Sequence, residues 1–511
     1  MKPFARILSG LVVAPCLAAA PPNVLLIFAD DLGFGDVACY NPESKVATPH
    51  LDRLANEGLR FTDAHSPSTV CTPSRYSLLT GRMAFRIPFR WVFTGAGGPC
   101  LIEEDRLTLP GMLKQHGYRT ALFGKWHIGL TFYDADGKPI CKDGLEPVKR
   151  IDYSRRITDG PVDRGFDEFF GTASCPTTDW LYAFIENDRI PVPPKGLLDR
   201  DTLPKHPWSF DCRAGLIAPD FDIEEIDEIF LGKSVAFLEK HAEERPDQPF
   251  FLMHSTQAVH LPSFPSKKYA GTTDAGPHGD FIAQFDGHVG TLLATLEELG
   301  MADNTLVIVT SDNGPEVGTV IHMRERYDHN GARPWRGVKR DIWEGGHRVP
   351  MLVRWPGVAP AGRTIRSTVC LTDLFATCAE IVGHAVPGDA GEDSVSLLPL
   401  FRGRDVPVRE FTLHQGPNLD LAIRRGPWKF LDHKGSGGND YERRGSKEWT
   451  IPGEWIIPDN APDTPGQLYD LAVDPGETVN LVERHPGKAA ELKKLLDASR
   501  ESGRSAPTRA E

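Results

Sequence analysis

A cysteine at position 71 opens the stretch Cys71-Thr72-Pro73-Ser74-Arg75. Proline suits the first turn of a helix, because the donor it lacks would be unpaired there anyway. Ser74 to Leu79 contains no breaker and Gly81 reads as a stop, so the pattern predicts a helix beginning at Cys71. Free N–H groups and the macrodipole favour negative charge at such a start. Arg75 lies one turn up the same face. The stretch could therefore hold an anion beside a reactive side chain. Position alone allows two readings of Cys71: a small buried hydrophobe, or a thiolate pulled below the free-thiol pKa of about 8.5 by the helix start and a cation.

Other chemistry-bearing residues stand at the ends of apolar runs. Asn23–Ala29 ends in Asp30-Asp31, and Thr305–Ser311 ends in Asp312-Asn313. Arg119–Gly124 runs into Lys125-Trp126-His127, where alternation puts Lys125 and His127 on one side. Pro249–Ser255 leads to His260, with His254 inside the run as a packed residue, and Lys339 follows Gly337-Val338. Each has an ordinary alternative: a solvated turn for Asp30-Asp31, a surface lysine at 125, a packed ring at 127. Taken together, three carboxylates and an amide suit a hard divalent cation, calcium before zinc, with magnesium an alternative.

The string Cys-x-Pro-Ser-Arg with its Leu79-Thr80-Gly81-Arg82 tail resembles the signature of the type I sulfatases. Gly124-Lys125-Trp126-His127-x-Gly129, Thr48–Ala55, Gly165–Gly171, Trp343–Pro350 and the Ser394–Leu398 segment are similar to further strings of that family. The resemblance runs from about Asn23 to the C-terminus. It implies that Cys71 is oxidised to formylglycine (3-oxoalanine) by a formylglycine-generating enzyme and hydrated to a geminal diol. One hydroxyl attacks sulfur, and the other expels the covalent sulfate by elimination. It implies one calcium ion held by Asp30, Asp31, Asp312 and Asn313, with residue 71 completing the shell. Arg75 and Lys125 would hold the diol, and His127 would take its proton. Lys339 and His260 would bind sulfate, and His260 would protonate the leaving oxygen.

Composition sets the bounds. The chain has 511 residues, enough for a large core and two domains. Its net charge of −13 argues against nucleic acid and makes any anion site a local feature. Lys2 and Arg6, the apolar run Ile7–Ala14 and Ala18-Ala19-Ala20 read as an export signal over residues 1–20, so the chain is expected in the periplasm or outside the cell. Pro15 makes Cys16 a poor lipidation site. No other run is long enough to span a bilayer. Beyond Cys16 and Cys71 remain Cys39, Cys100, Cys141, Cys175, Cys212, Cys370 and Cys378, an odd number with no metal-knot spacing.

The elements that must position these residues are buried strands between helices, as in an α/β fold with a parallel sheet. Helices are expected at Thr48–Gly58, Leu107–Gly117, Glu225–Ala242, Phe281–Gly300 and Val369–Val382. Residues 131–220 read as a loop-heavy insertion. After about Arg409 short alternating strands precede a helix near Pro486–Ser499. The resemblance implies an alkaline-phosphatase-like sandwich: a large, mostly parallel sheet flanked by helices over 21–408, and a small antiparallel sheet with a covering helix over 409–511.

For substrate, the resemblance implies a sulfate ester, an aryl sulfate or, more in keeping with the loops, a sulfated glycan attacked from its end. The run Asn41–Arg90 is similar to bacterial N-acetylgalactosamine-6-sulfatases, pointing to 6-O-sulfated N-acetylgalactosamine of chondroitin. Arg86, Arg90 and Arg213 are candidate contacts to a uronate or second sulfate, or surface residues. The rivals are a phosphatase or phosphodiesterase of the alkaline phosphatase superfamily and a glycan-binding relative without catalysis.

Overall fold

The computed structural model describes residues 21–441 and 451–507. The export signal and Cys16 lie outside these described residues.

The uninterrupted apolar runs become the central strands, because a strand covered on both faces needs no polar side. In chain order the sheet takes β1 (Asn23–Ala29), β2 (Leu59–Phe61), β3 (Arg119–Lys125), β4 (Glu168–Thr172), β5 (Ile185–Glu186), β6 (Phe250–Ser255), β7 (Thr305–Ser311), β8 (Met351–Arg354) and β9 (Arg363–Ile365). Their spatial order is β9-β2-β8-β7-β1-β6-β3-β4-β5. The inner strands β7, β1, β6, β3 and β4 are all parallel, while β8 and β5 join antiparallel to them. Five carboxyl ends therefore open on one edge, where open α/β sheets bind ligands.

Two sets of helices cover the sheet. One contains α1 (Pro49–Glu57), α4 (Ile226–Glu244) and α5 (Gly276–Glu298); the other contains α2 (Cys71–Thr80), α3 (Leu109–Gln115) and α7 (Asp373–Val382). A further helix, α6 (Val317–Tyr327), which the sequence reading passed over, packs against α5. The helix expected over Val369–Val382 starts only at Asp373, because Val369-Cys370 pair with Ala64-His65. The segment 131–220 is not all loop: it supplies β4 to the central sheet.

The C-terminal strands β10 (Thr412–Gln415), β11 (Leu421–Arg425), β12 (Trp428–Leu431) and β13 (Gln467–Asp470) form a four-stranded antiparallel sheet. The helix α8 (Pro486–Glu501) lies across it, with Leu492 and Leu496 in one core with Ile423 and Phe430. No helix of the described residues is long and apolar enough to cross a membrane.

One contact fixes how closely the site strands approach. At Gly124 the backbone has φ +123°, and an added Cβ would lie 1.7 Å from the Ser255 carbonyl oxygen. Only glycine fits such a position. Gly124→Ala should therefore cost about 3 kcal/mol or more of stability, read as a lower denaturant midpoint; an unchanged midpoint would contradict the close packing.

Candidate active site

The helix predicted at Cys71 is present, and all ten of its residues are buried. It ends at Gly81 in the left-handed region, φ 65°. The loop before it is held from three sides. The Ser66 N–H donates to the His347 carbonyl, the Arg340 N–H donates to the Thr69 carbonyl, and the Thr69 N–H donates to the Gln415 carbonyl of β10. Cys71 is thereby set beneath the carboxyl edge of the sheet, 1% exposed, its Sγ 3.6 Å from Asp30 Oδ1. Burial, and the Cys175 thiol beside it, push the Cys71 thiol up to about 12. Desolvation thus overrides the helix start and the nearby cations, and the thiolate reading fails for the unmodified residue.

Asp30 and Asp31 leave the end of β1, and Asp312 and Asn313 leave the end of the adjacent β7. All four are at most 1% exposed. Each carboxylate meets a cation from another segment. Arg75 binds Asp312 through Nε at 3.0 Å and Nη2 at 2.9 Å. Lys125 donates to Asp30. Lys339 Nζ reaches Asp31 Oδ1 at 2.6 Å. Arg75 also donates to the Lys125 carbonyl and to Ser255 Oγ, so the guanidinium ties α2 to β3 and β6. Burial raises the Asp30 pKa well above the usual range, and the Asp312 charge adds to that. For Asp312 burial pulls the same way, but Arg75, Lys125 and Lys339 outweigh it and hold the group low.

The histidines complete the ring. His127 Nε2 lies 2.8 Å from the Phe93 carbonyl, which assigns the proton to Nε2 and leaves the Nδ1 lone pair facing the cavity. His260 Nε2 lies 3.7 Å from Asp31 Oδ2, and its Nδ1 is held by the Leu261 carbonyl. Burial, with Lys125 second, lowers His127 to about 4; burial, with Lys339 second, lowers His260 to about 3. Both rings are neutral as they stand. Asp31 and His127 adopt φ 61°, a left-handed conformation that non-glycine residues hold at a cost of about 1–3 kcal/mol and that clusters at functional sites. His254 is the packed strand residue expected, bonded to Ser234 Oγ at 2.9 Å.

Above this floor opens a cavity of about 560 Å³, within the usual range for small-molecule sites. Its wall includes Cys71, His127, His260 and Lys339, with Trp91 and Arg213 from the loops. Arg213 stacks on Trp180, 5.6 Å from the ring centre. Arg90 is exposed and outside the cavity wall. Arg86 must be reassigned. Its Nε and Nη2 bond both oxygens of Asp393 and its Nη1 bonds the Ser499 carbonyl, so the guanidinium is used up inside the fold.

Three site residues escaped the sequence reading. Cys175, after β4, lies 3.9 Å from His127 Nδ1 and 3.8 Å from His260 Nε2. Burial works against its ionisation, yet the Cys71 thiol, Lys125 and Lys339 hold its pKa well below the usual value. Glu316 and Arg340 pair with each other beside Lys339. Nothing local marks Cys175, while Glu316 and Arg340 adjoin residues already singled out. Among the described residues every cysteine is free.

A sequence profile of the Sulfatase family matches residues 22–384. The chain is 32% identical to an N-acetylgalactosamine-6-O-sulfatase of Bacteroides thetaiotaomicron over 93% of both chains. It is 33% identical to human arylsulfatase A, over 95% of this chain and 88% of that one. A structure solved in work on the metabolism of multiple glycosaminoglycans by Bacteroides thetaiotaomicron superposes with a TM-score of 0.78 at 30% identity, covering 94% of this chain and all of that one. Fold, site-bearing strings and relatives agree: the chain belongs to the sulfatase family and is a hydrolase of sulfuric esters.

Proposed function

We propose that the protein removes sulfate from the end of a sulfated glycan, using residue 71 as formylglycine and one calcium ion. The observation that carries this reading is charge matching under the cavity. Asp30, Asp31 and Asp312 face Arg75, Lys125 and Lys339, three charges of each sign. A divalent cation arriving together with an anionic ester and an ionised nucleophile leaves the cluster neutral.

The donor set fits such an ion. It is rich in oxygen, as calcium prefers, and Asn313 Oδ1 is buried without a hydrogen-bond partner among the described residues. Ligand atoms of Asp30, Asp31, Cys71 and His260 lie within 4.8 Å of one another. Asp30, Asp31, Asp312 and Asn313 would hold the ion, with residue 71 beside it. Bound there, the ion would polarise the sulfate oxygens and the attacking hydroxyl. Formylglycine supplies that hydroxyl as one half of a hydrated aldehyde.

The remaining work belongs to the chain itself. Arg75 and Lys125 hold residue 71 and balance the carboxylates around it. His127 Nδ1 is fixed as an acceptor by its Nε2 bond, the form needed to take a proton from residue 71. Lys339 presents its ammonium to the sulfate oxygens. His260 is neutral until an anion is seated; the anion opposes the effect of burial and lets Nε2 carry the proton for the leaving oxygen.

The relatives named as N-acetylgalactosamine-6-sulfatases support 6-O-sulfated N-acetylgalactosamine, as in chondroitin, as the substrate. Arg213 and Trp91 suit a uronate and a sugar face. Export rests on the sequence of residues 1–20 alone. A boundary near residue 408 between catalytic and C-terminal parts is supported by the start of the small sheet at Thr412.

Cys71→Ala should lower sulfate release from chondroitin oligosaccharides by at least about 10³-fold with the fold intact; retained release removes residue 71 from the chemistry. Elemental analysis should find one calcium per chain, and Asn313→Ala should weaken calcium binding by about 10-fold or more. Two zinc ions per chain would favour the phosphatase reading. Arg213→Ala should reduce kcat/KM for the glycan by about 10-fold while sparing a small aryl sulfate; equal losses on both would place Arg213 outside substrate selection.

A further inference from the structure

We propose that Cys175 is a redox partner of residue 71 whenever residue 71 is still cysteine, so that an unconverted chain closes its own site with a Cys71–Cys175 disulfide. The bridge itself needs only the two thiols; its meaning as a mark of unconverted chains rests on the formylglycine reading above.

Both cysteines line the same cavity, Cys71 from the start of α2 and Cys175 from the loop after β4. They are 1% and 8% exposed; Cys175 Sγ lies 3.9 Å from His127 Nδ1 and 3.8 Å from His260 Nε2, and ligand atoms of Cys71 and His260 lie within 4.8 Å of each other. Cys175 is therefore not a solitary packed thiol. The next cysteine in that loop region, Cys212, is engaged elsewhere, its Sγ donating to the Thr177 carbonyl. The other free cysteines of the described residues are outside the cavity wall.

The oxidant is a small disulfide such as oxidised glutathione, and an exported chain would meet disulfides of that class. The sulfur of Cys175 attacks one sulfur of the small disulfide, releasing one small thiol and leaving a mixed disulfide. Cys71 sulfur then displaces the second small thiol. Two protein thiols become one protein disulfide, one small disulfide becomes two small thiols, and the two protons leave on the released thiols. The bridge would lie between His127 and His260, in the space the sulfate group needs. A converted chain has no sulfur at residue 71, so it cannot form the bridge and its cavity stays open.

The test uses full-length protein made without the converting enzyme, with cysteine at residue 71 verified by mass. It is incubated with oxidised glutathione, denatured, alkylated and digested without reduction. The expected result is a cross-linked pair of peptides carrying residues 71 and 175, lighter by two hydrogens than their sum. It should account for most of the residue-71 signal, be reversed by dithiothreitol, and be absent from Cys175→Ser. Recovery of residues 71 and 175 fully alkylated, or joined instead to Cys212 or to glutathione alone, would overturn the proposal. Because the readout is a peptide mass, loss of the sulfatase reading would show separately, as absence of sulfate release from the converted chain.

Discussion

Three buried carboxylates packed together dominate this molecule. At an effective dielectric of about 20, two charges about 4 Å apart interact by roughly 4 kcal/mol, a large share of the 5–15 kcal/mol that holds a typical fold together. Asp30, Asp31 and Asp312 can be buried only because Arg75, Lys125 and Lys339 come from three other segments to meet them. The parallel order of β7, β1, β6 and β3 is what brings those segments to one edge. The left-handed turns at Asp31 and His127 aim the side chains once they are there.

A second buried polar system supports the first. Lys429 of β12 donates to His347 Nε2 at 3.0 Å, His347 and His65 share a bond between their Nδ1 atoms at 3.0 Å, and His65 Nε2 meets Asp63 at 2.7 Å. Lys429 also binds Glu344 at 3.1 Å and Glu477 at 2.9 Å. Buried polar networks of this sort specify one arrangement when every member is satisfied. Here the arrangement specified is the docking of the small sheet against the loop that leads to residue 71.

Much of the site was legible because its residues sit where an apolar run stops, and a run of that kind has one meaning in a parallel sheet. Asp30-Asp31, Lys125, His127, His260 and Asp312-Asn313 could be placed on that basis, Cys71 by its helix start, and the family strings added Lys339 and the roles of the histidines. Side-chain pairing across the chain was not legible. Arg86 looked available to a substrate because Asp393, more than three hundred positions later, is invisible from its own neighbourhood. Cys175 and the Lys429 network were hidden for the same reason. The helix expected at Val369 began late because strand pairing with Ala64-His65 outcompeted local helix preference.

The pairing of the Pro67–Thr69 loop with Gln415 has a consequence for the order of events in the cell. A growing polypeptide that has emerged only as far as α7 has the loop and its partners at Arg340 and His347 but lacks Gln415, so the third backbone anchor of the loop arrives only in the last fifth of translation. In the finished protein the Cys71 side chain is 1% exposed, in the first turn of a buried helix. The late-made end of the chain is thus a timer on the final closure around a side chain made near its beginning.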